Sequence, residues 1–346
     1  MTEETPVVLS TEGGLGRIEL NKPRAINALN QEMVDIVNEA LVKWQDDDSI
    51  KAVLVTGRGE RGLCAGGDIK AIHASLIDGT DANLQFFGEE YVMNDRIARF
   101  PKPYVAFMNG ITMGGGVGIS AHGSHRVVTD STKIGMPETT IGLFPDVGGT
   151  YLLAQAPGAV GMYLALTGLP VGAGAALAAG LADYYIEDAK LDEVAAELAK
   201  RPAEAEAVLK EFASEAPADE LAEHREAIDH AFSAGSVEEI LERLRELGTE
   251  WGTKTADLIE TKSPLSLKVT FESIRTAGDM SLEEVLERDL RTGINLGKHN
   301  DLAEGIRAQV IDKDRNPQWK PATLEEVTSE LVQEVLTEPA ARKVFQ

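Results

Sequence analysis

Glu138 and Asp146 stand eight residues apart, and Asp146 is the only charged residue between Thr139 and Ala182. Acids in apolar surroundings have their proton affinity raised toward neutral pH, which suits acid, base or nucleophilic work. The competing reading is a carboxylate that caps a helix or holds a salt bridge. Upstream, two glycine-rich turns lead into helices: Cys64-Ala65-Gly66-Gly67-Asp68 and the run from Gly110 to Gly118. Each would present free backbone N–H groups at a helix start, and two such donors on one oxygen make an oxyanion hole. The competing reading is that these glycines only permit positive φ or close packing.

Other chemistries lack their parts. Among six histidines none sits in His-Glu-x-x-His, and the close pair His122 and His125 has no third ligand nearby, so no metal is expected. Gly118-Ile119-Ser120-Ala121-His122 fails as a nucleophile elbow at its last position, and no P-loop is present. Cys64, the one cysteine, has no histidine neighbour in the sequence and reads as a small buried thiol. The pattern Gly116-x-Gly118-x-x-Ala121, with Glu138 about 20 residues on, imitates a dinucleotide fingerprint. Its acid follows Met136-Pro137, a poor end for a central parallel strand.

The elements that must position these residues follow from periodicity. Short β-rich pieces at Val7 to Leu9, Arg17 to Leu20 and Ala52 to Thr56 surround an amphipathic helix from Gln31 to Gln45, with Asn30 as its N-cap. Strand, glycine turn and helix then recur about three times, with helices expected from near Asp68 and over Asn83 to Phe100, and strands at Tyr104 to Met108, Arg126 to Thr129 and Lys133 to Gly135. After Asp183 the composition turns to Ala, Glu, Leu and Arg, which predicts consecutive helices, including Pro264 to Thr276, Ser281 to Asn295, Leu302 to Ile311 and Leu324 to Leu336. The chain therefore reads as an α/β core over 1–190 and an all-helical region over 191–346. Its 346 residues carry a net charge of −24, a field that repels nucleic acid and anionic lipid. The uncharged run from Val147 to Ala182 is broken by Pro157, Pro170 and many glycines, so small-residue helices are expected there and no membrane span. One cysteine and no recognisable leader predict a reducing, cytoplasmic setting.

Several segments resemble the crotonase superfamily, the enoyl-CoA hydratase/isomerase group. They are Asn21-Lys22-Pro23-Arg24-Ala25-Ile26-Asn27-Ala28-Leu29, Cys64 to Lys70, Asn109 to Gly118, and Leu166-Thr167-Gly168 with Gly180-Leu181-Ala182-Asp183. Gly110 to Gly118, Met136-Pro137-Glu138-Thr139, Phe144 to Gly149, Ser263 to Lys268, Ile311 to Asp314 and Trp319-Lys320-Pro321 are similar to the branch that hydrolyses short 3-hydroxyacyl-CoA thioesters, as in valine breakdown. The likeness runs over about residues 7 to 327 and is weakest from about 187 to 260. It implies a spiral of ββα units followed by a helical C-terminal region. It also implies oxyanion donors at the N–H of Gly67 and Gly115, a nucleophile or base at Glu138, and Asp146 as the partner that orients Glu138 and handles water. Glu90 matches a substrate-contacting acid, though a solvated helix position is the other reading. CoA, part of the substrate rather than a cofactor, would meet Lys22, Arg24 and Lys313, with Ala25, Ala65 and Ile69 lining its channel. A hydratase of the superfamily would carry a second Glu where this chain has Gly118, and a glycine where it has Asp146. The resemblance therefore favours hydrolysis over hydration. A hydratase or isomerase, an NAD-dependent dehydrogenase and a non-catalytic acyl-CoA binder stay open at this point, as does self-association.

Overall fold

The computed structural model describes residues 5–345. Its contacts divide the chain into two compact units, each built from separated segments. The first comprises the chain up to Gly67, then Val92–Gly135 and Val171–Glu220. The second comprises Asp68–Tyr91, Met136–Pro170 and the chain from Leu221 onward.

The first unit holds the sheet. Among the described residues eight strands form: β1 (Val7–Glu12), β2 (Leu15–Leu20), β3 (Ala52–Gly57), β4 (Tyr104–Phe107), β5 (Ile111–Met113), β6 (His125–Val128), β7 (Lys133–Gly135) and β8 (Tyr184–Tyr185). Six of them order as β1-β2-β3-β4-β6-β8, antiparallel at β1–β2 and parallel thereafter, while β5 and β7 pair separately. Ala52, Val53, Leu54 and Val55 are all fully buried, as a parallel strand covered on both faces must be. Helix α1 (Gln31–Gln45) keeps the expected bounds because Asn30 accepts the Met33 N–H and Met33, Val34, Val37, Leu41 and Trp44 form one buried stripe.

The remaining helices are α2 (Ile69–Asp78), α3 (Ala82–Ala98), α4 (Gly115–Ala121), α5 (Gly149–Ala154), α6 (Val160–Thr167), α7 (Ala173–Ala178), α8 (Leu191–Lys200), α9 (Ala205–Phe212), α10 (Arg225–Phe232), α11 (Val237–Glu246), α12 (Glu250–Glu260), α13 (Pro264–Ala277), α14 (Leu282–Leu296), α15 (Asn300–Ile306) and α16 (Ser329–Thr337). The expected boundary between 190 and 191 differs from the observed division. Val194 and Leu198 of α8, with Val208 and Leu209 of α9, bury into the same cluster as Leu15, Leu54, Val105, Phe107 and Val127 of the sheet, so these helices belong to the first unit. Conversely, α2, α5, α6 and Ala82–Tyr91 of α3 join the later helices in the second unit, where α5 packs on α6, α13 and α14.

The uncharged run folds as three short helices, α5, α6 and α7, and no helix among the described residues is long and apolar enough to cross a membrane. The helix expected over Leu302 to Ile311 ends at Ile306 and continues as a single π turn over Arg307–Ile311. The last helix starts later than expected, at Ser329, because the Thr328 side chain caps it.

Candidate active site

In the first unit the two glycine turns lie side by side. The Cys64 N–H donates to the Ile111 carbonyl and the Met113 N–H to the Cys64 carbonyl, each at 3.0 Å. Gly66 has φ +110°, and a Cβ there would sit 3.3 Å from the Met113 carbonyl oxygen and 3.7 Å from the Gly115 nitrogen. Only glycine reconciles that backbone with that approach. Gly116, one residue into α4, lies so close to the Cys64 carbonyl that a Cβ would be 2.4 Å from its oxygen. The dinucleotide-like glycines are therefore packing residues inside a buried helix rather than a phosphate loop. Neither Gly67 nor Gly115 gives its N–H to a backbone acceptor among the described residues, so adjacent turns each offer a free donor. Cys64 is fully buried in the same corner, where its sulfur accepts the Gly66 N–H at 3.4 Å. It reads as structural, not as a nucleophile.

The acids gather in the second unit. Glu90 is 2% exposed, Glu138 6% and Asp146 5%. Glu90 is thus buried, contrary to the solvated alternative. No basic side chain pairs with any of the three among the described residues, and Glu90 Oε1 and Glu138 Oε2 have no hydrogen-bond partner there. Burial pushes the Glu138 carboxyl well above the usual range, and the Asp146 charge adds to the effect. Glu90 moves up for the same two reasons in the same order. Asp146, pushed by burial to about 6, is held down from a higher value chiefly by the Tyr91 hydroxyl. That hydroxyl donates to Asp146 Oδ2 at 2.6 Å.

Local sequence explains these placements. Glu138 opens a 3₁₀ turn (Glu138–Ile141) that follows Pro137 and closes on Gly142 in the left-handed region. The buried Lys262 ammonium donates to Thr140 Oγ1 at 2.7 Å and so ties the turn down. Burial lowers its pKa to about 8. Asp146 begins a sharp bend into α5, in which the Gly149 N–H donates to the Asp146 carbonyl at 2.6 Å. Glu90 and Tyr91 are consecutive on α3.

Two participants escaped sequence reasoning. Tyr91 adjoins Glu90 but carries no motif. Asp289, 0% exposed, lies on the buried side of α14 among Val285, Leu286, Leu290 and Leu296, and an acid within that apolar stripe was the available signal. Burial raises its pKa to about 7 against the opposing pull of Arg288.

The residues expected to meet CoA divide between the units. Lys22, Arg24 and Ala25 sit at a 3₁₀ turn (Pro23–Ala25), and Ala65 joins them by donating its N–H to the Ile26 carbonyl at 2.9 Å. Ala65, Arg24 and Ala25 are exposed. Ile69 starts α2 in the second unit, and Lys313 is exposed just beyond the π turn against which α2 packs.

Comparison with known proteins identifies the family. Residues 15–336 match the model for enoyl-CoA hydratase/isomerase. The chain belongs to this family. Among curated relatives, the mitochondrial 3-hydroxyisobutyryl-CoA hydrolase of Danio rerio is 42% identical over 94% of this chain and 88% of its own length. That of Xenopus tropicalis is 41% identical over 95% and 88%. Among solved structures, a carnitinyl-CoA dehydratase from Mycobacterium thermoresistibile superposes with a TM-score of 0.94 at 45% identity, covering 99% of this chain and 98% of that one. The ββα spiral with a helical C-terminal region, expected from the sequence, is the fold of this family member. The cytoplasmic setting is overturned, because the curated relatives are mitochondrial enzymes.

Proposed function

We propose that the protein hydrolyses a short 3-hydroxyacyl-CoA thioester, 3-hydroxyisobutyryl-CoA, to the free acid and CoA. The observation that carries this reading is the pair Glu138 and Asp146, buried together with no cation paired to either among the described residues and with the Tyr91 hydroxyl on Asp146. Relatives named for this hydrolysis support it. The similarity to a carnitinyl-CoA dehydratase argues the other way. Against it, this chain has Gly118, with no carboxyl, where the family resemblance puts a hydratase's second acid, and Asp146 where it puts a glycine.

The pair favours a single shared proton at neutral pH, since two adjacent buried carboxylates resist double ionisation. Passing that proton from Glu138 to Asp146 frees the nucleophile without adding net charge to the buried site. Glu138 then attacks the thioester carbonyl carbon, and the Gly67 and Gly115 N–H groups receive the developing oxyanion, each contributing about 3 to 4 kcal/mol by analogy with known donors. The tetrahedral species collapses to a mixed anhydride, and Asp146 gives its proton to the departing thiolate, whose pKa near 8.5 demands little acid help. Asp146, now ionised, takes a proton from the water that cleaves the anhydride. The acid is released and the shared-proton state returns. Glu90 accepts the substrate's 3-hydroxyl, while Lys22, Arg24 and Lys313 meet the phosphates of CoA, with Ala25, Ala65 and Ile69 along its apolar portion.

Glu138→Gln tests this assignment. The amide keeps the shape but is a poor nucleophile and base, so thiol release should fall by well over tenfold while acyl-CoA binding, followed calorimetrically, persists. Retention of more than about a tenth of kcat, a loss of only ~1.4 kcal/mol, removes Glu138 from the nucleophilic role.

A further inference from the structure

We infer that Arg288 and Asp289, neighbours on α14, are positioning residues that clamp the bend running from Asp146 to Thr150 and thereby aim the Asp146 carboxyl. The inference rests on the proposed reaction, in which Asp146 gives and takes the proton.

The bend is strained at the residue after Asp146. Val147 has φ +52°, a left-handed conformation that a β-branched residue adopts only under constraint, and Gly148 follows at φ +71°. Left alone, such a bend relaxes, and Asp146 would swing away from the Tyr91 hydroxyl. Two contacts from α14 oppose this. Asp289 Oδ2 accepts the Gly148 N–H at 2.9 Å, and Arg288 Nη2 donates to Thr150 Oγ1 at 2.8 Å. They hold positions 148 and 150, immediately beyond the strained residue. The grip is anchored in turn, because Arg288 Nη1 donates to the Ser273 carbonyl at 3.0 Å and to Thr276 Oγ1 at 2.9 Å on α13. The bend therefore draws its geometry from the packing of α13, α14 and α5.

The cost of the device argues for a purpose. Arg288 is 4% exposed and Asp289 0%, Asp289 Oδ1 has no hydrogen-bond partner among the described residues, and the pair's own separation is a loose 3.9 Å. A buried ion pair of that quality adds little to stability compared with apolar residues of similar size. The first N–H groups of α5 could be capped by a single serine or threonine. What an arginine and an aspartate on one rigid helix add is two fixed points on a turn that would otherwise open.

The test combines kinetics and crystallography on the full chain. Asp289→Ala should lower kcat for 3-hydroxyisobutyryl-CoA roughly tenfold to a hundredfold, the scale of a small misplacement at a reacting centre, with KM changed less than about twofold. Asp289→Asn keeps an amide oxygen for the Gly148 N–H and should return kcat to within about threefold of wild type. Thr150→Val, which removes the hydroxyl but keeps the shape, gives a second route should Asp289→Ala fail to fold, and should also lower kcat at unchanged KM. Wild-type kcat in both Asp289→Ala and Thr150→Val, or a matching fall in kcat for Asp289→Asn and Asp289→Ala, overturns the clamp. A crystal structure of the variant separates this from failure of the proposed reaction. If wild type releases no thiol, the reaction is wrong, yet the clamp still predicts that the variant loses the positive φ at Val147 and the contact between Asp146 and Tyr91. Retention of both overturns it.

Discussion

Asp146 is buried with no cation paired to it among the described residues, and the Tyr91 hydroxyl is the first of the influences that hold its pKa down near 6. In the proposed cycle the pair must carry one proton, so the acid limb of the rate profile reports the uptake of a second proton at about the Asp146 value. Tyr91→Phe removes the donor and leaves Oδ2 without it. The acid limb should then move upward by about one pH unit, with kcat at pH 7 reduced accordingly. A kcat–pH profile at saturating substrate measures this. An unmoved limb with reduced kcat would assign Tyr91 to packing, through its stacking on Phe87, and not to the charge of Asp146. At this scale the sequence exposed Glu138 and Asp146 because they interrupt an uncharged region, and Glu90 only through the family resemblance. Tyr91 was illegible for a physical reason, since a tyrosine on a mixed helix gains meaning only from what it faces, whereas Asp289 left a weak mark as an acid within the apolar stripe of α14.

At the level of elements, the two glycine turns act as one unit, since the Gly66 backbone at φ +110° packs against the Met113 carbonyl and the Gly115 nitrogen. Gly66→Ala adds strain at positive φ and a contact at 3.3 Å, which rotates the following peptide and with it the Gly67 N–H. The expected result is a folded protein, judged by circular dichroism, with kcat lowered about a hundredfold or more, the effect of losing one oxyanion donor. An active variant would remove the Gly67 N–H from the reaction. Elements with strong local signals were legible: α1 with its Asn30 cap, and α14, expected over Ser281 to Asn295 and found behind a Ser281–Glu284 capping box. The late start of α16 and the π turn after α15 were not, because side-chain capping and local packing decide them rather than periodicity.

At the scale of the whole molecule, composition suggested a cut at residue 190, but α8 and α9 complete the sheet's core, and contact rather than composition sets the division. Stability carries the mark of the buried acids. A carboxyl whose folded pKa is raised binds its proton more tightly in the folded chain than in the unfolded one. Its contribution is fully present below the ordinary carboxylate range near 4 and is lost as pH rises through the folded value. Glu138→Gln should therefore be more stable than wild type at pH 8, with the difference shrinking toward pH 5, as paired thermal melts will record. A difference independent of pH would mean that Glu138 is not held protonated. The central claim, hydrolysis of a 3-hydroxyacyl thioester without hydration chemistry, is tested most directly by one paired assay on the wild-type protein: thiol release from 3-hydroxyisobutyryl-CoA against hydration of crotonyl-CoA. With Gly118 supplying no second acid, hydration should be at least about a hundredfold slower than thiol release, the lower end of what a positioned acid or base contributes. Hydration as fast as thiol release would contradict the account.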